Sequence, residues 1–268
     1  VTDRETRRLS FGSVAADYDR YRPSPPPQAL DWLLPPDAEA VLDLAAGTGA
    51  VTRELIGRAA RVIAVEPDER MREVLTARCP QAEVLAGRGE DIPLPDASID
   101  AVVISAAWHW LDPELAVPEI TRVLRVGGVL GVLWNSRDAR VPWVAELNRL
   151  ARQAREADRP PDGRSGRRRR QVVFPAGTPM SAVEEHTVEY SLPMTKDDLA
   201  GLLGTYSGVI TLDPERRASF SRRVRAFLDS QPWDRADLPM ICRCLRSMRL
   251  PGSPGDLQGT VGDSKADS

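Results

Sequence analysis

Asp43-Leu-Ala-Ala-Gly-Thr-Gly49 sets a carboxylate ahead of two glycines, with Thr48 between them. Glycine lets the main chain approach a ligand without a Cβ clash, and the first N–H groups of a helix lack intrahelical partners. A turn of this type at the carboxyl end of a parallel strand lines a ligand crevice. Two nucleotide readings compete. A dinucleotide fingerprint needs glycine at i, i+2 and i+5, and counting from Gly47 gives Gly49 and then Thr52, so the third is missing. Asp43 also precedes the glycines, where its charge disfavours a pyrophosphate. A ligand with a cationic amine and no phosphate fits better.

Glu66 ends the run Val62-Ile-Ala-Val-Glu66, 23 residues after Asp43, and belongs at the carboxyl end of the neighbouring strand. A carboxylate there can accept both hydroxyls of a ribose. Alone it could equally be a solvated acid favoured by a helix macrodipole, but beside the glycine turn ribose binding is the better reading. His109, in Ala107-Trp-His-Trp-Leu111, is either a general base near neutral pH or an imidazole packed between Trp108 and Trp110. Trp134-Asn-Ser-Arg137 closes a later strand and can reach a substrate chamber, with packing as the alternative for Trp134.

These residues need a frame. Short apolar runs at Ala40–Ala45, Arg61–Glu66, Ala82–Ala86, Ile99–Ser105 and Gly128–Trp134 read as buried strands. Helical spacing covers Thr48–Arg58, Pro67–Arg78 and Pro113–Arg125 between them. Helices are also predicted over Pro142–Ala157, Lys196–Tyr206 and Pro214–Leu228. A sixth strand is read at His186–Leu192 and a last one, antiparallel to it, at Leu238–Met248. Strand–helix alternation implies right-handed crossovers. The fold class is α/β, a doubly wound, mostly parallel seven-stranded sheet with an antiparallel last strand. Before it, residues 1–37 read as an N-terminal helical cap, a short helix followed by a stiff connection through Pro23–Pro27. The main domain spans 38–250, with a binding core at 40–135 and a substrate-side insertion at about 136–185. Asp158–Arg170 reads as an exposed loop, and 251–268 as a disordered tail.

Composition narrows the function classes. The 268 residues carry a net charge of −3, so no global positive field draws the chain to nucleic acid or anionic lipid. The Arg167–Arg170 run is better read as a solvated loop than as an acidic-substrate or nucleic-acid site. Three cysteines and two histidines suit neither a disulfide framework nor a metal site, which points to a reducing compartment. Residues 1–30 lack the apolar stretch of a signal peptide, and no run approaches a membrane span. A cytoplasmic location is expected. The sequence sets no oligomeric state.

Asp43–Gly49, Glu66, Gly87-Arg-Gly-Glu-Asp-Ile-Pro-Leu-Pro-Asp96, Ser98-Ile-Asp100 and Val123-Leu-Arg-Val-Gly-Gly128 together resemble the successive motifs of class I methyltransferases. More narrowly they resemble the small-molecule branch that includes ubiquinone/menaquinone and trans-aconitate methyltransferase relatives. The resemblance covers Ala40 to Trp134, and more loosely Phe11–Pro27. It implies a Rossmann-like fold, S-adenosyl-L-methionine as cofactor and a small-molecule acceptor. Asp43, Ala45 and Gly47, with Thr48 and Gly49, would surround the methionine moiety. Glu66 would hold the ribose, and Arg88-Gly89-Glu90 would edge the adenine. Ser105 and Ala106 would lie beneath the sulfonium, and Tyr18 would close over the cofactor, with core packing as its other reading. The pattern departs from the family at Ala45, where many relatives have glycine, and at Arg88, where relatives often carry Asp, Ser or Thr. In this branch a His-Trp pair often stands at His109 without a base role, which favours packing there. A second function class, a non-catalytic domain binding the cofactor as a regulator or subunit, fits the same motifs. Nucleic-acid methylation is disfavoured by the acidic balance and by the lack of an Asn/Asp-Pro-Pro-aromatic signature after the fourth strand.

Overall fold

The computed structural model describes residues 15–156 and 171–252. Its first half comprises α1 (Ala15–Tyr21), α2 (Pro27–Leu33), β1 (Ala40–Leu44), α3 (Ala50–Leu55), β2 (Arg61–Val65), α4 (Glu69–Arg78), β3 (Glu83–Leu85) and β4 (Ile99–Ser105). It continues through α5 (Pro113–Val123), β5 (Leu124–Arg137), α6 (Pro142–Glu156), β6 (Glu184–Thr195), α7 (Lys196–Gly204), α8 (Ser207–Ile210), α9 (Pro214–Asp229) and β7 (Arg235–Met248). The seven strands form one sheet in the order β3-β2-β1-β4-β5-β7-β6. The first five strands are parallel, and β7 runs antiparallel to both β5 and β6. This is the expected doubly wound sheet with an antiparallel last strand, here inserted between β5 and β6.

Side chains on both faces of β1 are buried at every position, so each face needs its own helical cover. Leu42 and Leu44 join Val117 and Ile120 of α5 on one side. Val41 faces Leu30 and Leu33 of α2 and Val51 and Leu55 of α3 on the other. A separate core joins α6, α7, α8 and α9 to Met194, Leu238 and Met240 at the ends of β6 and β7. The first helix links these parts. Asp19 pairs with Arg53 of α3 and Arg78 of α4, each at 2.9 Å, while the Tyr21 ring lies against the backbone of Gly201 in α7.

Several predicted boundaries shift, for local reasons. The helix expected from Thr48 to Arg58 spans only Ala50–Leu55, because Gly49 sits at φ +88° as its N-cap. The helix expected from Pro67 starts at Glu69, since the Asp68 side chain accepts the Arg70 N–H and caps it. The one expected to reach Arg125 stops at Val123 as Leu124 enters β5 directly. The stiff connection expected after Pro23 gives way to α2, which begins on Pro27, where proline's fixed φ suits a first helical turn. Strand β3 keeps only three residues at the sheet edge. By contrast β5, β6 and β7 outrun their predicted limits. The register Val129↔Met248 to Arg137↔Met240 carries β5 beyond Trp134, and Thr195↔Arg235 extends β6 and β7. The helix expected to reach Tyr206 ends at Gly204, and the short α8 follows. Helix α9 runs one residue past Leu228, and α6 is described to Glu156. Phe11, the Asp158–Arg170 loop with its arginine run, and the tail from residue 253 lie outside the described residues. No helix among the described residues is long and apolar enough to cross a membrane.

Candidate functional site

The parallel register aligns Asp43 with Ala64 and with Val103, so β1, β2 and β4 end side by side. All the expected cofactor residues except Tyr18 follow from these ends or from the segment after β3. Two backbones there are strained. Ala45, just past β1, has φ +59°, and Ala106, just past β4, has φ +54°. Each non-glycine residue in this left-handed region costs about 1–2 kcal/mol. Their N–H groups are held by the next strand: Ala45 donates to the Val65 carbonyl and Ala106 to the Leu133 carbonyl, both at 2.8 Å. The positive φ also explains why glycine suits position 45 well.

Asp43 is buried beneath the turn. Its Oδ2 accepts the Thr52 hydroxyl at 2.6 Å, and the carboxylate also accepts the Thr52 backbone N–H. Thr52 is the third residue of α3, whose N-cap, Gly49, has no side chain to offer. The strand carboxylate therefore supplies the missing cap, where the helix dipole favours negative charge. Gly49 itself is demanded by packing, because a Cβ there would lie 2.4 Å from Leu75 Cδ1 of α4.

Glu66, nearly as buried, reaches across from β2. One oxygen accepts the Gly47 N–H and the other the Asp68 N–H, both at 2.9 Å. Burial raises the pKa of Glu66 above the ordinary carboxylate value, and these two N–H groups oppose that shift. Each oxygen keeps a second lone pair, so the carboxylate can tie the glycine turn and still accept ligand hydroxyls. The adjacent Thr48 hydroxyl is buried with no hydrogen-bond partner. Tyr18 of α1 covers the turn, its Cε1 3.9 Å from where a Gly47 Cβ would stand.

After β3, Arg88 pairs with Glu90 at 3.4 Å. Glu90 Oε1 accepts the Asp112 N–H at 3.1 Å, while Oε2 is buried without a hydrogen bond. Gly89 packs on Leu111. Ser105 ends β4, half-buried. His109 lies in a single 3-10 turn, Trp108–Trp110. Its ring stands 4.6 Å from that of Trp110, tilted by 41°, while Trp108 is buried in the core. The structure thus brings Tyr18, the glycine turn and Glu66 together, and sets Ser105 and Ala106 on the neighbouring strand end. Among the described residues no group of three His, Cys, Asp or Glu could hold a metal ion.

A polar group that the sequence marked only through Trp134–Arg137 lies beyond the end of β4. Arg22, Tyr190 and Tyr206 gather with Arg137 and Asn135, and the hydrogen bond from Arg22 to Thr205 spans 183 residues. Period-two alternation along β5 was the available signal, since it sets Asn135 and Arg137 on the face of the buried Leu133.

The turn fits an adenosine cofactor with a cationic amine. It offers the second lone pairs of the Glu66 oxygens, a buried Thr48 hydroxyl without a partner and a covering aromatic ring. Comparisons with known proteins agree. The profile of the family described as "Methyltransferase domain" matches residues 42–132. An uncharacterized methyltransferase of Mycobacterium tuberculosis is 42% identical over 248 residues, covering 91% of this chain and 97% of its own. One of Schizosaccharomyces pombe is 28% identical over 251 residues, covering 90% and 98%. A solved structure from Anaeromyxobacter dehalogenans, provisionally assigned as a type II methyltransferase, shares 27% identity with a TM-score of 0.61. It covers 86% of this chain and 99% of its own.

Asp43 generates a test of the site's electrostatics. Burial raises its pKa from an ordinary 3.8 to about 7. The folded protein then binds more protons than the unfolded chain between these values, so this group lowers stability as pH rises from about 4 to about 7, with no further change above. Asp43→Asn keeps an acceptor for Thr52 and removes the buried charge. It should stabilise the cofactor-free protein at pH 8 by roughly 1–3 kcal/mol, with the gain shrinking towards pH 4. Urea unfolding of both proteins across that range measures it, and a gain independent of pH would show that Asp43 does not titrate there.

Proposed function

Since the chain belongs to the class I S-adenosylmethionine-dependent methyltransferases, we propose that it carries a methyl group to a small-molecule acceptor. The observation that carries this reading is the glycine turn at β1, underlain by the buried Asp43, clasped by Glu66 from β2 and covered by Tyr18. S-adenosyl-L-methionine supplies a methyl on a sulfonium, open to in-line displacement by a nucleophile. In our reading Asp43, Ala45, Gly47, Thr48 and Gly49 receive its methionine end, with the Asp43 charge facing the amine through the turn. Glu66 accepts the ribose hydroxyls. Arg88, Gly89 and Glu90 edge the adenine, and Glu90 Oε2, ion-paired with Arg88 but without a hydrogen bond, is the acceptor there. Ser105 and Ala106 floor the reacting centre.

The protein's contribution is then mainly positioning, which can supply up to roughly 7–11 kcal/mol of the barrier. The strained Ala45 and Ala106 and the two clasping carboxylates set that geometry before any ligand arrives. A carboxylate nucleophile needs no base, whereas a hydroxyl, amine or carbon nucleophile must lose a proton. We assign His109 to shaping the pocket, on the strength of its packing against Trp110.

Glu66→Gln retains volume and one acceptor oxygen. It should weaken S-adenosylhomocysteine binding by about 1.5–3 kcal/mol, a loss of one charge-assisted interaction. Calorimetry on the folded variant measures this, and unchanged affinity would mean that another group holds the ribose. His109→Gln should lower turnover modestly and leave its pH profile intact. A fall of about 100-fold or more in the single-turnover rate, the size of a general-base effect, would make His109 the base instead.

A further inference from the structure

Three side chains on one face of the sheet end in buried atoms with no hydrogen-bond partner: Asn135 Oδ1, Arg137 Nη1 and the Tyr190 hydroxyl. Strand register brings them there. Arg137 pairs with Met240, which pairs in turn with Tyr190, and Asn135 precedes Arg137 by two residues on the same face. The guanidinium of Arg137 donates through Nε to Asn148 Oδ1 at 2.9 Å and lies 4.9 Å from the centre of the Tyr206 ring. Arg22 lies 4.2 Å from the centre of that same ring and donates to the Thr205 hydroxyl and carbonyl. Neither arginine pairs with a carboxylate among the described residues.

This arrangement is costly without a ligand. A half-buried cation whose Nη1 is shut off from solvent and has no counter-charge loses hydration that neither Asn148 nor an aromatic ring restores. Burial pulls the Arg137 pKa down, and the charge of Arg22 adds to the effect. Burial likewise raises the pKa of the Tyr190 hydroxyl, keeping it a neutral donor. The group also adjoins the cofactor turn. Arg22 lies 5.0 Å from the centre of the Tyr18 ring, and Tyr18 covers Gly47. Ser105 pairs with Leu133, four residues before Arg137 on β5, or about 13 Å of extended backbone.

We propose that the methyl acceptor is a small carboxylic acid, its carboxylate bound by Arg137 Nη1 and the Tyr190 hydroxyl, with Arg22 adding positive charge across Tyr206. This rests on the methyl-transfer reading and names its substrate class. A carboxylate has two oxygens to offer the two unpartnered donors, which share a face in register with Met240, and a charge-assisted bond to a guanidinium is roughly twice as strong as a neutral one. The Asn135 carboxamide offers the acceptor its oxygen or, after a half-turn, its NH2 group.

The experiment titrates protein saturated with S-adenosylhomocysteine against straight-chain acids from butyrate to octanoate, the corresponding dicarboxylates and benzoate, each beside its carboxamide. At least one carboxylate should bind, with its carboxamide about 30-fold weaker or worse. Arg137→Met should abolish the preference while S-adenosylhomocysteine affinity stays unchanged. It should melt no lower than the parent, because it removes an unpaired buried charge. Tyr190→Phe, which deletes one hydroxyl, should weaken the same carboxylate about 3- to 10-fold. The proposal is overturned if no carboxylate binds, if carboxamides bind equally well, or if Arg137→Met keeps the preference. If S-adenosylhomocysteine itself fails to bind, the methyl-transfer reading falls, and carboxylate binding to the free protein still decides the anion site.

Discussion

Two buried carboxylates at the ends of adjacent parallel strands hold the site in shape. Asp43 stands in for the cap that Gly49 cannot provide, and Glu66 ties the Gly47 N–H to the start of α4. Among the described residues neither acid has a cation hydrogen-bonded to its carboxylate; both are satisfied by backbone N–H groups and a hydroxyl. That choice leaves a negative potential under a turn whose N–H groups would otherwise attract phosphate. The same potential welcomes an amine. Removing either acid would free the helix start as well as the ligand contact, so binding and local folding share one set of bonds.

Two of the three non-glycine residues with left-handed backbone among the described residues, Ala45 and Ala106, lie at the proposed cofactor site. Left-handed backbone at Ala45 and Ala106 turns the chain away from two neighbouring strand ends, and the adjoining strands hold both through single hydrogen bonds. Helix α1 then connects this floor to the helical lobe. Asp19 grips α3 and α4, Tyr21 rests on Gly201, and Tyr18 lies over the turn between them. Movement of α1 would therefore open the cofactor turn and disturb Arg22 together, which couples the two halves of the site mechanically.

The succession of strands and helices in the core was legible because buried parallel strands leave short apolar runs, and helices between them leave a different period. The place of Asp43 and Glu66 beside the glycine turn was legible from their position at the ends of such runs. Their bonds were not, since the Gly47–Glu66 contact depends on how two strand ends meet. Helix starts went wrong where an acid, rather than the preceding proline or threonine, was the cap, as at Asp68. The polar group around Arg137 was hardest to see. Arg22 and Thr205 are far apart in sequence, and although Val188, Tyr190, Leu192 and Met194 alternate with exposed residues along β6, that alternation does not reveal that the Tyr190 hydroxyl lacks a partner. Arg137 carried a usable signal, an arginine in register with buried Leu133, but alternation alone does not reveal that its charge lacks a partner.

The claim on which the account turns is that the buried Asp43 charge faces the cofactor's amine. Calorimetric titration with S-adenosylhomocysteine in buffers of different ionisation enthalpy tests it directly. The ammonium of the ligand should lower the Asp43 pKa from about 7, so that binding at pH 6.5 releases protons, with release vanishing at pH 8.5 and in Asp43→Asn. Binding without proton release at pH 6.5, or release that persists in Asp43→Asn, would contradict the account.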